Sequence, residues 1–350
     1  MAVQFADSTD HYDLQSTIGL KWTQNILDAA SSVVAPPGAG PRAIELKNGV
    51  FKTLSYQTKW FVGVRLYVIT SVSSAVIYSL SAAFANTATM ATLRMESDGT
   101  LSIYAGNSLN LIANSSSVGI ALVANTWNYL EVGVSLTGTT PIQATVTLRL
   151  NGVQILTGSA STSVDASATL LGTNEANTHA FTFNSSSSAY ARDFYITDGS
   201  GSGSVNGFIG DVALSALFPR ADVAGNEWTA VGGTTMTLWD HCNPQFPETN
   251  DDTTYIEDNT PTDVGNMLWQ PIAPFTGTIP FIHFGVYNRK DAAGTRTFQQ
   301  TTHGVGNGPV ISAGDSYQYN FFAMDQDPNT TAPWTQANFN TSQFGVVTVS

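Results

Sequence analysis

The feature that most constrains this 350-residue sequence is a strict alternation of apolar and polar side chains over residues 142–150. Successive side chains of a β-strand point to opposite faces, so the alternation predicts a strand with one buried face. Asn151-Gly152 follows at once and suits the two positive φ angles of a type I′ turn. We therefore predict a β-hairpin in which residues 153–156 run back along the first strand.

Alternation of the same kind recurs elsewhere in the chain. It spans residues 62–68 and 130–136, and it flanks an Asp98-Gly99 pair that predicts a second hairpin. The least polar stretch, residues 60–85, is long enough to suggest a membrane span, but its first half keeps the period of two. We interpret it as two strands and expect no contact with a membrane. Because helical periodicity is nearly absent, the chain is predicted to be all-β.

The polar surface of the protein must consist largely of uncharged side chains. The formal net charge is −13, yet only 11% of the residues are Asp, Glu, Lys or Arg. The 13 Lys and Arg residues form no basic stripe, which a nucleic-acid groove needs to displace counterions from phosphates. We therefore expect no nucleic-acid binding. Cys242 is the only cysteine, which excludes an intrachain disulfide and a cysteine-based zinc cluster.

The character of the sequence changes after Trp228, where a Gly- and Thr-rich stretch leads into a segment dense in Asp, Asn and Pro. We place a linker at residues 236–252. It would separate a first domain, residues 1–235, from a second domain, residues 253–350. The short apolar and aromatic strands of the second domain predict a small β-sandwich.

Three groups of residues resemble a large group of tailed-bacteriophage structural proteins. The first group opens the chain, and the third lies in the second domain. The second is similar to the closing strands of a concanavalin A-like, laminin-G-type jelly roll as those phage proteins carry it. The first group comprises residues 5–12 with Lys21-Trp22, and the second comprises residues 191–199 with 207–212. The third comprises residues 252–256, 289–296, Asp327-Pro328, Trp334-Thr335 and 344–346.

The resemblance implies an all-β protein in which residues 1–235 form a concanavalin A-like jelly-roll sandwich, followed by a smaller β-sandwich domain. It implies a virion protein that is assembled in the host cytoplasm, as a tail fibre, a tail appendage or a capsid decoration. The position on the particle, whether capsid, neck, tail or baseplate, is left open. Such a protein would act by assembly with other virion proteins and by surface presentation. The alternative is a glycan-binding module of the same particle that recognises a host surface polysaccharide through loops of the jelly roll.

Catalytic residues are not indicated by the sequence. Cleavage of a glycosidic bond needs two carboxylates on one face of a cleft, and no strand of this chain carries such a pair. Glu131 lies within a predicted strand, but it falls on the polar face and is expected to be solvated. We therefore expect that the chain is not an enzyme.

The resemblance also bears on metals, because laminin-G-type folds often hold calcium at their rim with Asp carboxylates and loop carbonyls. Asp193, Asp198 and Asp211 flank the corresponding region and are the candidate calcium ligands. The alternative for Asp198-Gly199 is a simple turn. Apart from this candidate, we expect no metal and no cofactor.

Two sets of residues are candidates for contacts with partners. The positive charge of the second domain is concentrated at Arg289, Lys290 and Arg296. These residues would either contact an acidic partner or simply form the tip of a β-hairpin. The tryptophan candidates lie near the domain junction or in loops, where they would contact a partner or a ligand: Trp239, Trp269 and Trp334.

The strands at the edges of the predicted sheets also bear on assembly. Long Ser- and Thr-rich strands with few charges lack the usual guards against edge-to-edge pairing, which favours a homo-oligomer that covers the edges. Phage fibres and decorations often use three-fold axes, so the resemblance favours a trimer.

Overall fold

Antiparallel β-strands build most of this protein, as the sequence predicts. The computed structural model describes residues 3–9, 21–25, 33–34, 42–46, 49–69, 74–82, 88–107, 110–164, 174–183, 189–201, 205–232, 237–242, 254–291 and 293–350. The chain divides into two compact units, Ala2–Leu214 and Ser215–Ser350. Within the described ranges, no helix is long and apolar enough to cross a membrane.

The named elements in the described part of the first unit are a short 3-10 helix, Ser115–Val118, and strands. In chain order the described strands are β1 (Val3–Asp7), β2 (Gln24–Asn25), β3 (Val33–Val34), β4 (Ala43–Glu45), β5 (Val50–Gln57), β6 (Lys59–Val68), β7 (Ala75–Ser81), β8 (Thr89–Met95), β9 (Leu101–Ala105), β10 (Asn110–Asn114), β11 (Trp127–Thr137), β12 (Gln143–Leu150), β13 (Val153–Ser161), β14 (Ala176–Phe181) and β15 (Ala189–Thr197).

These strands form two sheets that pack face to face as a jelly-roll sandwich. The larger sheet has the order β13-β12-β11-β6-β15-β4-β3, and β1 pairs with β15. The second sheet has the order β10-β9-β8-β7-β14-β5-β2. Trp60 of β6 meets the ring of His179 of β14 edge-on across the sandwich, with centroids 4.6 Å apart. Both side chains are completely buried, which places the core between the two sheets.

The hairpin predicted from alternation is confirmed. β12 pairs with β13, and Asn151 and Gly152 both have positive φ angles, of 49° and 81°. Along β12 the side chains alternate between buried and half-buried positions, as the sequence period requires. The second predicted hairpin, β8 with β9 around Gly99, is confirmed as well.

The prediction that Glu131 is solvated is wrong. Glu131 of β11 is completely buried on the outer face of the larger sheet. Residues 207–214 lie across that face without regular secondary structure, and we call this segment the strap. The amide of Gly210 donates a hydrogen bond to Glu131 Oε1 at 2.7 Å. The face is polar, as its pattern indicates, but it is covered by a distant part of the chain.

The described part of the second unit contains the remaining strands and two short helices. They are β16 (Pro219–Asp222), β17 (Thr229–Gly232), α1 (Leu238–Cys242), β18 (Thr254–Glu257), β19 (Val264–Trp269), β20 (Ile282–Asn288), β21 (Thr297–Thr302), β22 (Val305–Ser312), β23 (Gln318–Met324), α2 (Gln336–Thr341) and β24 (Gln343–Thr348). One sheet has the order β16-β19-β24-β21-β22, and β17-β18 and β20-β23 form two-stranded sheets.

The boundary between the units lies earlier than the predicted linker at residues 236–252. β16 pairs with β19, and β17 pairs with β18, so both strands belong to the second unit. α1 lies inside the predicted linker, and its Leu238 is buried against Ala230 and Met267. The composition of residues 236–252 is typical of a linker. The pairing of β16 with β19 and of β17 with β18 is long-range and leaves no local signal in the sequence.

Candidate functional site

The two-stranded sheet β20-β23 has one face toward the core of the second unit. Phe284 and Met324 are buried on that face, together with Trp334 and Phe344. The buried amide of Gln300 on β21 anchors the sheet by donating to the carbonyl of Phe284 at 3.0 Å. Because side chains alternate along each strand, the opposite face must carry the other residues of the two strands.

That opposite face carries a continuous row of rings, which we call the aromatic stripe. Its members are half-buried and come from both strands and from the residue that precedes β23: His283, Tyr287, Tyr317, Tyr319 and Phe321. Gly285, directly opposite Phe321 in the strand register, is exposed. A side chain at that position would meet the Phe321 ring, since an added Cβ would lie 2.8 Å from Phe321 Cε1.

Neighbouring rings of the aromatic stripe overlap in nearly parallel planes. The centroids of Tyr317 and Tyr287 are 4.9 Å apart, those of Tyr287 and Tyr319 4.5 Å, and those of Tyr319 and Phe321 5.8 Å. Phe321 then stacks on His283 at 4.8 Å, with 11° between the planes. These separations are typical of favourable aromatic pairs, so each ring restricts the rotamers of its neighbours.

Tyr287 and Tyr319 of the aromatic stripe keep their hydroxyl protons. Burial raises the pKa of Tyr319, and the nearby Tyr287 adds to that rise. Burial also raises the pKa of Tyr287. Both hydroxyls are therefore neutral near pH 7 and can donate as well as accept hydrogen bonds.

The aromatic stripe combines apolar ring surfaces with tyrosine hydroxyls. A flat ligand with apolar C–H faces and hydroxyl edges could contact the rings and bond to the tyrosine hydroxyls at the same time. The ring stack also holds the side chains in place before any ligand arrives, which lowers the entropy lost on binding.

The aromatic stripe was not among the candidates drawn from the sequence, although part of its signal was present. Tyr317, Tyr319 and Phe321 occupy every second position, which is the period of one strand face. Their ring partners His283 and Tyr287 lie on another strand, about 30 residues away along the chain, and sequence spacing alone does not supply that register.

The predicted positive cluster is only partly brought together. The guanidinium of Arg289 lies 5.1 Å from the centroid of Tyr317, at one end of the aromatic stripe. Lys290 Nζ pairs with Asp315 Oδ1 at 2.7 Å. Arg296 is half-buried, and its carbonyl accepts a hydrogen bond from Ala313. A contact of these residues with an acidic partner stays a prediction.

The tryptophan candidates are mainly core residues. Trp334 is 1% exposed and donates through its indole nitrogen to the carbonyl of Met324, so its predicted surface contact is wrong. Trp269 is half-buried and packs edge-on against Phe284. Trp239 of α1 is half-buried and packs against the cluster that contains Leu238. Partner contacts of Trp239 and Trp269 stay predictions.

The candidate calcium ligands are not assembled into one site. Asp193 lies 3.3 Å from Arg65 and 2.9 Å from Arg192, and Asp211 also pairs with Arg65. Asp198 instead accepts hydrogen bonds from Gln4 and from the amide of Ser200. A guanidinium therefore lies between two of the three carboxylates. In the described part of the chain, no group of three or more His, Cys, Asp or Glu side chains could hold a metal ion.

Comparisons with known proteins find similarity to solved structures only at the level of the fold. No family model matches the sequence, and no curated protein matches it. The alginate lyase Aly36B is 10% identical with a TM-score of 0.39, and the match covers 55% of this chain and 96% of that one. The cellulose induced protein Cip1 is 14% identical with a TM-score of 0.38, covering 56% and 97%. Domain 4 of AbnA, an extracellular arabinanase from Geobacillus stearothermophilus in complex with arabinotriose, is 13% identical with a TM-score of 0.37, covering 56% and 92%.

These similarities correct one expectation drawn from the sequence. We expected that the chain is not an enzyme, but the similar structures include polysaccharide lyases, which are enzymes. One of them is an endo-β-1,4-glucuronan lyase from Trichoderma reesei, 7% identical with a TM-score of 0.33, covering 50% of this chain and 90% of that one. The exclusion of enzymatic activity is therefore not retained.

Proposed function

We propose that this protein is a component of a bacteriophage particle that recognises carbohydrate through the aromatic stripe. Host surface polysaccharide is the proposed ligand. The observation that carries the proposal is the row of five half-buried rings on the outer face of the β20-β23 sheet.

The chemistry of the aromatic stripe suits a saccharide better than a purely apolar ligand. A pyranose ring presents apolar C–H groups on its faces and hydroxyl groups around its edge. Tyr287 and Tyr319 offer apolar rings with neutral hydroxyls, Tyr317 offers a third tyrosine ring, and Phe321 offers a purely apolar ring. Such side chains have an apolar body and a polar tip, so they suit a contact in which the ring is buried while the hydroxyl stays near solvent.

The assignment to a phage particle is supported by the sequence. The resemblance to tailed-bacteriophage structural proteins runs through both units of the chain. The charge-poor surface, with 11% charged residues, also suits a protein that assembles with others and persists outside a cell. Immunogold electron microscopy of phage particles with an antibody against this chain would test the assignment, and unlabelled particles would contradict it.

Carbohydrate recognition is tested by measuring binding of the purified full-length chain to an array of bacterial surface polysaccharides. We expect a preference for a subset of them. Tyr287→Ala removes the ring that touches both Tyr317 and Tyr319 and should weaken binding about 10-fold, which corresponds to about 1.4 kcal/mol. Tyr287→Phe keeps the ring and should lose less.

Tyr255→Ala is the matched control, because Tyr255 is a half-buried tyrosine of the same unit on the β17-β18 sheet. It should bind as the wild type does. Circular dichroism spectra must show that each variant is folded. Binding to no saccharide at all, or equal losses in Tyr287→Ala and Tyr255→Ala, would contradict recognition through the aromatic stripe and leave assembly as the function.

We also propose that the protein acts as a homo-oligomer, with a trimer suggested by the phage resemblance. The charge-poor edge strands favour association over an isolated monomer. Light scattering at micromolar concentration measures this directly, and a stable monomer in solution and on the particle would contradict it.

A further inference from the structure

Two side chains of opposite charge face each other beneath the strap. Glu131 of β11 and Arg149 of β12 are directly opposite in the strand register. Residues so paired have Cβ atoms roughly 4.5–5.5 Å apart and project from the same face of the sheet. Glu131 and Arg149 therefore project from the outer face of the larger sheet at paired positions of neighbouring strands.

Each of the two side chains leaves one buried atom unsatisfied. Glu131 Oε1 accepts from Tyr195 Oη at 2.5 Å and from the amide of Gly210 at 2.7 Å. Glu131 Oε2 and Arg149 Nε are buried, and neither has a hydrogen-bond partner among the described residues. A buried carboxylate oxygen or guanidinium nitrogen without a hydrogen-bond partner is costly, so native structures rarely leave such atoms unsatisfied.

Both side chains also hold the strap. Glu131 binds the amide of Gly210, and the Arg149 guanidinium lies 4.2 Å from the centroid of the Phe208 ring. Phe208 in turn packs edge-on against Phe61 of the sheet, with centroids 4.9 Å apart. The unsatisfied pair thus lies under residues 208–210, closed off by the strap above and by the sheet below.

We propose that an ordered water molecule binds between Glu131 and Arg149 and helps to hold the strap against the sheet. The water donates to Glu131 Oε2 and accepts from Arg149 Nε, so that both buried groups are satisfied. Buried waters commonly satisfy such groups, with about three hydrogen bonds each. Glu131 and Arg149 then act as one water-bridged ion pair that positions the strap over the outer face of the jelly roll.

A crystal structure of the full-length chain at about 1.5 Å resolution tests the site directly. We expect a density peak at about 2.7–3.2 Å from both Glu131 Oε2 and Arg149 Nε, with the scattering of a water oxygen. The absence of a peak, a direct bond between the two side chains, or a peak with the anomalous signal of a heavier ion would overturn the proposal.

The coupling between the two residues is tested with Glu131→Gln, Arg149→Met and the double variant. Hydrogen exchange of the Gly210 amide is the readout, because this amide donates to Glu131. Each single variant should accelerate its exchange about 10-fold or more, and the double variant should be little faster than either single one. Additive effects would show that the residues act independently and would contradict a shared water.

Arg94→Met is the matched control, since Arg94 pairs with Glu96 at 3.5 Å on the other sheet of the jelly roll. It should leave the exchange of the Gly210 amide unchanged. A similar acceleration in Arg94→Met would show that the amide reports general destabilisation and would count against the proposal.

Discussion

Replacing His179 with Asn should remove a large part of the acid sensitivity of the jelly-roll unit. His179 is completely buried, between the edge-on ring of Trp60 and the hydroxyl of Tyr78, which lies 2.9 Å from His179 Nδ1. Burial lowers the pKa of His179 from 6.5 to about 3. The folded state therefore holds the imidazole neutral, while the unfolded chain protonates it below pH 6.5.

The magnitude follows from the shift in the His179 pKa. A group whose folded pKa is depressed contributes stability that is present above the unfolded pKa and is lost as the pH falls toward the folded value. Because the pKa of His179 is lowered from 6.5 to about 3, and each pH unit corresponds to about 1.36 kcal/mol, about 5 kcal/mol of stability is lost between pH 6.5 and pH 3. By pH 4, about 3 kcal/mol of this should already be gone.

Urea unfolding at pH 7, 5.5 and 4, followed by tryptophan fluorescence, measures the effect. At pH 7 His179→Asn should be less stable by about 1–3 kcal/mol, because the ring contact with Trp60 is lost. At pH 4 this difference should shrink by about 3 kcal/mol and reverse or vanish. Tyr78→Phe is the control, since it removes the hydroxyl but leaves the titrating ring in place. Parallel pH profiles of wild type and His179→Asn would refute the reasoning.

Three further substitutions follow from single positions in the jelly roll. Gly152→Val should lower the free energy of unfolding by about 1 kcal/mol or more, because φ is 81° there, whereas Gly152→Asn should be tolerated better in the same urea titration. Gly63→Ala should cost about 1–3 kcal/mol, because the new Cβ would clash with the Tyr195 ring; a neutral result by thermal unfolding would contradict this packing. Burial lowers the pKa of Lys52 from 10.5 to about 8, so wild-type stability should rise between pH 8 and pH 10.5 by up to about 3 kcal/mol. Lys52→Met should lack that rise, and an identical rise in both proteins would argue against a neutral buried amine.

The sequence by itself determined the all-β class and several individual hairpins. The hairpin of β12 and β13 is encoded locally, because the period of two defines the buried face and Asn151-Gly152 defines the turn. The same local logic located β6 and β7 within the least polar stretch of the chain. No distant residue is needed to specify such elements.

The tertiary structure alone decided which polar faces are open to solvent. Glu131 has the sequence pattern of a solvated residue, yet it is buried by Gly210, which lies 79 positions later in the chain. Trp334 lies in a loop-like stretch, yet it is buried in the core of the second unit. The aromatic stripe depends on the register between β20 and β23, which brings Tyr287 opposite Tyr319. Alternation defines the two faces of a strand, but what covers each face depends on long-range contacts, and a local pattern carries no information about those contacts.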